Sequence, residues 1–341
     1  MKHDVELSKM SETIGASSLD DAPVVRADRS IVRIDLLRRS FPFLFLVVLI
    51  AVFSGFSSRF LSLDNLMTVL EQGTVLLVAA LGMTFIIMAG SIDISVGSIV
   101  GIAALVAAVT AGKLGVWAIV PAVMVGVACG LVNGLLLACG KVPSFIATMG
   151  TMVVYRGFVL LFTRGAPVSI EDDGFLASYS GYSLGISHAV MVGLALALVA
   201  WVIINHTVFG REVRAIGGGE RVSILTGIAV TRVKIYMYVL LGALCGIAGL
   251  LQGARTMAAS AQLGAGLELD VIAAVVVGGT PLTGGVGSIV NTMLGVLIIT
   301  LLSNGMNMTG VDPYLQSIIK GIVLICAVFI TIDRKKIGII K

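Results

Sequence analysis

The stretch GMTFIIMAGSIDISVGS, residues 82–98, places a single carboxylate, Asp93, between two apolar runs. Gly90 precedes it and Ser95 follows it, so small residues that break or cap helices surround the charge. A carboxylate at the start of a helix accepts hydrogen bonds from unpaired N–H groups and lies at the positive end of the helix dipole. We therefore predict that Asp93 caps a helix beginning near Ile94 and shapes an irregular interior corner.

Several other polar or ionisable side chains interrupt apolar runs in the same way. A charge at the centre of a membrane helix costs about 2.5–3.5 kcal/mol on insertion scales, so a retained charge usually faces a pathway or a partner. For Glu268, Asp270 and Lys320, a helix end near the lipid headgroups is an equally good interpretation. The other members of the set are Glu71, Gln72, Asp93, Asn133, Arg156 and Asn304.

Four polar residues are the candidates for a substrate pathway or gate. Hydroxyl and amide side chains can hydrogen-bond a neutral polar solute without adding charge to a pathway. Such a pathway favours weak, transient contacts over tight binding. The candidates are Asp93, Ser95, Asn133 and Asn304.

The sequence lacks the motifs of common enzyme sites. It contains no GxxxxGK[ST] phosphate-binding loop and no HExxH metal motif. Segment 181–185, GYSLG, fits the G-x-S-x-G pattern, but that pattern marks a nucleophile only on a strand-to-helix turn backed by an acid and a histidine. The segment lies in a predicted loop, so we expect no catalysis by Ser183, although His188 is close in sequence. We predict no catalytic residue, metal site or bound cofactor in this chain.

The composition predicts an integral membrane protein. Hydrophobic residues make up 57% of the 341 residues and charged residues only 12%, and the mean hydropathy is +1.07. A soluble domain carries about 25% charged residues, so half that fraction cannot cover a water-exposed surface. The net charge is a modest +4 with scattered basic residues, which argues against nucleic-acid binding. The four cysteines lie in apolar runs with no CxxC pair, which favours packing roles.

The apolar runs predict an all-α, polytopic membrane helix bundle, because a spanning helix needs about 20 mostly apolar residues. Ten runs approach that length, although 267–281 is short and flanked by glycine, so it has a second interpretation as a re-entrant segment. Glycines four residues apart, such as Gly126 with Gly130 and Gly242 with Gly246, predict close helix contacts. The predicted spans are 41–57, 67–90, 95–112, 116–139, 144–163, 187–205, 236–255, 267–281, 286–304 and 314–332.

Three regions follow from this pattern: a polar N-terminal tail, 1–40, a transmembrane domain, 41–332, and a short C-terminal tail, 333–341. Within the first tail, residues 30–40 form either part of a disordered segment or a short amphipathic helix on the membrane surface. Lys and Arg collect in both tails and in the connection 206–235. By the positive-inside rule, these regions and both termini are expected in the cytoplasm.

The connection 206–235 is the longest polar segment after the N-terminal tail. Its segment ERVSILTGI predicts a short helix that ends near Gly227. A merely solvated loop would not need Ile224, Leu225 and Ile228. We therefore favour an amphipathic helix that docks into a groove of another protein.

At these segments the sequence resembles the permease subunits of bacterial ribose-type ABC sugar importers, a family that also includes xylose, arabinose and galactose permeases. The resemblance extends over roughly residues 41–335, in the order found in the family. The stretches that carry it are GMTFIIMAGSIDISVGSIVG, VPSFIATMGTMVVYRG, FGREVRAIGGGERVSILTGI, LELDVIAAVVVGGTPLTGGVGSIV and NGMNMTGVDPYLQSIIKGIVLICAVF.

The resemblance implies a type II-like ABC importer permease in the bacterial inner membrane. Its partners would be a cytoplasmic ABC ATPase with tandem nucleotide-binding domains, a periplasmic sugar-binding protein and a second permease copy, often as a homodimer. ATP and Mg²⁺ would bind to the ATPase. The connection 206–235 would be the coupling segment, although the family's usual GGNE reads GGGE at 217–220. The coupling residues would be Gly210, Arg211, Arg214, Ala215, Gly217, Glu220 and Gly227.

These observations favour a passive gate that translocates a monosaccharide, a ribose-like pentose or a hexose, while ATP is hydrolysed elsewhere. Within the same class, a nucleoside or another small polar solute is the alternative cargo. An ion-coupled secondary transporter is a further alternative, but it needs a titratable relay near the membrane midplane. The embedded carboxylates of this sequence lie mostly near predicted span ends, which weakens that alternative.

Overall fold

The computed structural model describes the backbone of residues 29–331 and the side chains of residues 41–330. Helices dominate this part of the chain, as predicted. In chain order they are α1 Arg29–Phe56, α2 Leu63–Met88, α3 Val96–Leu114, α4 Ile119–Ala138, α5 Ser144–Thr163, α6 Asp173–Ser180, α7 His188–His206, α8 Val208–Gly218, α9 Glu220–Leu225, α10 Val230–Thr256, α11 Leu267–Val277, α12 Ile289–Met308 and α13 Pro313–Thr331.

Short strands tie the connections together at one end of the bundle. Strand β1, Val168–Ser169, pairs antiparallel with β4, Ala258–Ala259. Strands β2, Tyr182–Ser183, and β3, Ile186–Ser187, form a hairpin just before α7. These two-residue pairs fix loops and form no closed sheet, so the fold class is all-α as expected.

By length and composition, the described residues contain seven candidate membrane spans, and the shorter apolar stretch Phe41–Phe56 belongs to α1. One candidate, Val96–Ala138, includes both α3 and α4, which a single 3₁₀ turn at Gly115–Ala118 joins. The structure therefore does not confirm the exact count of ten spans. It also shows α1 as one helix from Arg29, earlier than the predicted start at 41. Predictions for residues 1–28 and 332–341 lie outside the described part.

Helix α11 shows why the count differs. It has 11 residues, which gives a length of about 16 Å, whereas the hydrocarbon core of a membrane is about 30 Å thick. The predicted span 267–281 is therefore a half-length helix inside the bundle, in keeping with its short, glycine-flanked sequence. Most of its residues from Val271 onward are fully buried.

Helix α10 lies at the centre of the fold and packs against α2, α3 and α4. Its contact with α4 is made by backbone on backbone. A methyl group added at Gly126 or Gly130 of α4 would overlap main-chain atoms of α10 at Gly242 and Tyr238. The same holds in reverse at Gly246 of α10, where an added β carbon would lie 2.8 Å from the α carbon of Val123 in α4. The glycine spacing thus positions α4 directly against α10.

Helices α3 and α11 begin next to each other. The backbones of Gly97 in α3 and Gly264 before α11 touch, so that a β carbon on either glycine would overlap the carbonyl of the other. Val96 and Ile99 are fully buried, so α3 begins inside the protein and not on its surface. The N-termini of α3 and α11 therefore lie side by side, close to the polar corner at Asp93.

Candidate functional site

The polar corner lies in the break between α2 and α3. Helix α2 ends at Met88, and Gly90 turns the chain with a φ of 74°. Asp93 is 0% exposed, and its Oδ1 accepts hydrogen bonds from the Ser95 backbone N–H at 2.7 Å and the Ser95 hydroxyl at 2.6 Å. Ser95 occupies the N-cap position of α3. Asp93 thus closes the turn immediately before the helix, whereas we predicted that it would cap a helix starting near Ile94.

Asn133 of α4 joins this corner from a distant part of the sequence. Its Nδ2 donates to Asp93 Oδ2 at 3.1 Å and to Ser95 Oγ at 2.8 Å. The Tyr155 hydroxyl of α5 has one proton, which it shares between the Cys129 carbonyl at 3.0 Å and Asn133 Oδ1 at 3.3 Å. Three of the four predicted pathway residues therefore belong to one hydrogen-bonded cluster, which we call the Asp93 network.

Hydroxyl groups of α5 satisfy two further backbone N–H groups at the break. The Ile92 N–H donates to Ser144 Oγ at 3.4 Å, and the Ile94 N–H donates to Thr148 Oγ1 at 3.2 Å. Irregular backbone at membrane depth is tolerated only where protein or water satisfies it. The Asp93 network is such a case, since its hydrogen bonds and those of Ser144 and Thr148 link the start of α3 to α4 and α5.

The fourth candidate, Asn304, lies elsewhere. Near the end of α12, its amide exchanges two hydrogen bonds with Asn65 at the start of α2, at 3.0 and 3.1 Å. This pair ties two helices together at the other end of the bundle from Met88. The structure therefore separates Asn304 from the Asp93 network, and the role of all four residues in a pathway stays a prediction.

Sequence reasoning missed the α5 contribution to this cluster, although a signal was present. Ser144, Thr148, Thr151 and Tyr155 recur at helical spacing in the stretch SFIATMGTMVVY. Residues three and four apart lie on one face of a helix. The polar stripe of α5 could have been matched to the polar corner on that ground.

Two helices form the predicted coupling segment. Thr207 caps α8 by accepting from the Gly210 N–H at 3.2 Å, and a β carbon at Gly210 would overlap backbone carbonyls at the end of α7. Gly217 packs closely against the Met88 carbonyl and the Gly285 backbone, where an added β carbon would overlap both. The Gly285 N–H donates to the Met88 carbonyl at 2.8 Å. Helix α8 is thus fixed to the end of α2 and to the connection before α12.

The other faces of this segment are exposed. Arg211 and Ala215 of α8 are exposed, and Arg214 donates to Asn205 Oδ1 at 2.8 Å. In α9, Leu225 is 86% exposed, as are more than half of Val222 and Ile224. The exposed residues Glu220 and Gly227 lie at the start and just beyond the end of α9; Glu220 pairs with Lys234 at 2.7 Å, and Gly227 has a φ of 86°.

The serine of the GYSLG segment does touch its neighbouring histidine. Ser183 Oγ lies 2.7 Å from His188 Nε2, while His188 Nδ1 faces the Ala177 and Ser178 carbonyls at 3.1 Å. Nδ1 therefore carries the proton and Nε2 accepts from the serine. Within residues 41–330, no carboxylate hydrogen-bonds this histidine, so it links the hairpin to α6 and lacks the acid of a catalytic triad.

Two ion pairs hold the half-length helix α11. Asp270 Oδ2 lies 2.8 Å from Lys320 Nζ of α13, and Glu268 Oε1 lies 3.7 Å from Arg156 Nη2 of α5. The sequence singled out each of these four charges but could not pair them. Pairing accounts for their retention in an apolar bundle.

The apolar helical bundle with its half-length helix α11 defines a multi-pass membrane protein. The family described as "Branched-chain amino acid transport system / permease component" matches residues 65–328. This chain belongs to that family.

Curated relatives cover most of the chain. It is 40% identical over 300 residues to the ribose import permease protein RbsC of Escherichia coli (strain K12), which covers 85% of this chain and 92% of the relative. It is 42% identical over 299 residues to RbsC of Bacillus subtilis (strain 168), covering 86% and 92%. It is also 34% identical over 317 residues to the galactose/methyl galactoside import permease protein MglC of Haemophilus influenzae, covering 87% and 94%. No solved structure gives a significant match.

Proposed function

We propose that this chain is the membrane permease subunit of an ATP-driven importer that carries a monosaccharide, a pentose such as ribose or a hexose, across the bacterial inner membrane. The names of the ribose and galactose permeases that it resembles support the cargo class. The structural observation that carries the proposal is the helix pair α8–α9, whose apolar residues Val222, Ile224 and Leu225 face outward. An exposed amphipathic helix of this kind fits a groove on a partner protein.

The partner at α8–α9 is a separate cytoplasmic ATPase with tandem nucleotide-binding domains, which binds ATP and Mg²⁺. A displacement of α8 is transmitted to the bundle through Gly217, whose backbone packs against the Met88 carbonyl and the Gly285 backbone. Met88 ends α2 and leads into the Asp93 network, and Gly285 precedes α12. Because glycine backbone meets backbone here, no flexible side chain absorbs the displacement.

The remaining partners complete the transporter. A periplasmic binding protein delivers the sugar at the end that carries β1–β4 and the hairpin, and a second copy of this chain forms the homodimer. In this arrangement α8, α9 and both termini face the cytoplasm, where Arg211, Arg214 and Arg232 obey the positive-inside rule.

Replacing Gly227 with proline tests the coupling. The positive φ of Gly227 is closed to proline, and proline also removes the N–H that donates to the Ile224 carbonyl at 3.1 Å. We expect Gly227→Pro to release the ATPase or abolish ATP-driven uptake of D-ribose and D-galactose in proteoliposomes, while the bundle still inserts. Co-purification and uptake are the measurements.

Gly310 offers a matched control at the other end of the bundle. It has a φ of 70°, and its N–H donates to the Asn307 carbonyl at 3.1 Å. Gly310→Pro makes the same local change and should leave ATPase association intact. Unchanged association and uptake in Gly227→Pro would contradict docking at α9. Uptake driven by a pH gradient without any ATPase would instead support the ion-coupled alternative.

A further inference from the structure

Three adjoining cavities form a polar trough beside α11. The central cavity has a volume of about 250 Å³ and shares Asp270 and Lys320 with an inner extension of about 190 Å³. It shares Gln252 and Gly264 with an outer cavity of about 470 Å³ that reaches Ala258 of β4. The polar trough therefore leads from the loops at one end of the bundle to an ion pair among the helices.

The walls of the central cavity carry hydrogen-bonding groups that the protein does not use. The amides of Gln72 and Gln252 make no hydrogen bond to another described residue. Thr300 Oγ1 is buried and also without a partner. Unpaired polar groups inside a bundle cost free energy unless water or a ligand satisfies them. Amides on α2 and α10 and a hydroxyl on α12 thus converge on one empty volume.

The charges around the cavity largely cancel. Asp270 and Lys320 neutralise each other at 2.8 Å, and the carboxylate of Glu71 interacts electrostatically with the remaining charged lining residue, Arg255, without forming an ion pair within 4.0 Å. Leu76 and Ile299 supply an apolar wall. A neutral polyol offers many hydroxyl donors and acceptors, and its C–H groups can lie on such a wall. The central volume is below the roughly 300–1,000 Å³ of drug-sized ligand sites, which suits a smaller solute.

The Asp93 network differs from the polar trough in its hydrogen bonding and in its lack of an adjoining cavity. Asp93, Ser95 and Asn133 use their polar groups on one another, and none of them lines any of the three cavities of the trough. Buried groups without a hydrogen-bond partner also occur outside the trough, as at Ser54 and Thr280, but at the central cavity the unpartnered Thr300 hydroxyl adjoins two amides that no described residue uses. We propose that the polar trough is a solute-binding site within the single chain, for a neutral polyhydroxylated molecule of monosaccharide size. This inference rests on the proposed function and names the contact site for its cargo.

Alkylation of a cysteine placed in the trough tests this site in the assembled transporter. Ser303 lines the central cavity, is half-buried, and bonds only to the Ile299 carbonyl of its own helix, so Ser303→Cys is a mild change. The exposed native Cys139 and Cys326 are replaced by serine. Ser303→Cys should react with a membrane-impermeant thiol reagent, and D-ribose or D-galactose should slow the reaction along a binding curve, about threefold at twice the Kd.

Two controls make the result specific. Ser183→Cys, on the exposed hairpin, should react at the same rate with or without sugar. Adding Gln252→Leu to Ser303→Cys should remove the protection, whereas Gln316→Leu, which deletes an amide outside the three cavities, should preserve it. Protection with this pattern supports the site.

The failures of the two proposals are distinguishable. If a complex that transports D-ribose or D-galactose with ATP shows no labelling at Ser303→Cys, or labelling that neither sugar slows, the trough is not a solute site and the proposed function stands. If the complex shows sugar protection but no ATP-driven uptake, the binding site stands and the proposed function fails.

Discussion

Asp93 illustrates how a carboxylate can be retained in an apolar bundle without a cation beside it. Both of its oxygens accept hydrogen bonds, from Ser95 and from Asn133, and the accepting groups are fully enclosed. Removing one partner from a buried hydrogen bond leaves the other unsatisfied, at about 1–3 kcal/mol for each group. The residue therefore stabilises the corner through the donors it satisfies.

Substitutions of Asp93 should distinguish the contribution of side-chain shape to stability from the contribution of its hydrogen bonds. Asp93→Leu leaves the Ser95 N–H, the Ser95 hydroxyl proton and one N–H of Asn133 without their acceptor, so we expect a large fall in thermal stability or failure of assembly. Asp93→Asn keeps an oxygen for Ser95 but turns an amide NH₂ toward the NH₂ of Asn133, so we expect a smaller loss and substantial residual uptake. Thermal unfolding of the purified permease and uptake in proteoliposomes are the measurements.

A paired change sharpens this prediction. Combining Asp93→Asn with Asn133→Asp restores a donor opposite an acceptor and still offers an oxygen to Tyr155, so stability should exceed that of either single variant. Equal tolerance of Asp93→Leu and Asp93→Asn would show that these hydrogen bonds do not matter.

The sequence predicted part of this corner and missed the rest for a physical reason. The turn at Gly90 and the contact between Asp93 and Ser95 are local, so neighbouring residue types suffice to expect them. Asn133 is 40 positions away and meets Asp93 only because α4 packs beside α3. The sequence named Asn133 as polar and embedded, but nothing in its neighbours pointed to Asp93.

At the scale of elements, the glycine contact between α4 and α10 determines the core. Lipid gives helices no hydrophobic reason to associate, so close packing must hold them together. Gly130 lies against the Tyr238 carbonyl, where even one methyl group would overlap main-chain atoms. The glycine spacing predicted a close helix contact, but it did not indicate which helix would be the partner.

Gly130→Ala should therefore destabilise the permease markedly, because two backbones would have to separate. Gly150 of α5 provides the comparison, since it is helical and exposed and has nothing within 4 Å of an added β carbon. Gly150→Ala should be neutral or gain up to about 1 kcal/mol from helix propensity. The measurement is the thermal unfolding of both variants. Equal changes in unfolding temperature would mean that the two backbones at Gly130 can separate with little loss of stability.

Helix boundaries show the limit of reasoning from hydropathy alone. A window of about 20 residues identifies apolar runs but cannot tell a full span from a buried half-length helix. Residues 267–281 met the apolar criterion only in part, and the structure places an 11-residue helix there. The ion pairs of Glu268 and Asp270 hold that helix, and such pairs depend on tertiary packing.

At the scale of the whole molecule, the predicted topology places α9 and the β2–β3 hairpin on opposite sides of the membrane. The native Cys139 is exposed at the end of α4, next to the cleft that Ile224 and Lys234 also line. We expect a membrane-impermeant maleimide to label Cys139 only in inside-out vesicles and Ser183→Cys only in right-side-out vesicles. Labelling of both from one side would contradict the topology and the proposed position of the ATPase.

The glycine contact also has a consequence for the order of biogenesis. Residues 119–138 leave the ribosome long before residues 230–256, so the glycine face of α4 enters the bilayer before its partner helix α10 has been synthesised. During that interval only lipid chains or the insertion machinery can cover Gly126, Gly130 and Gly134. Assembly of the central unit is therefore late by construction, and a nascent chain truncated before 230 should remain a substrate for quality-control proteases.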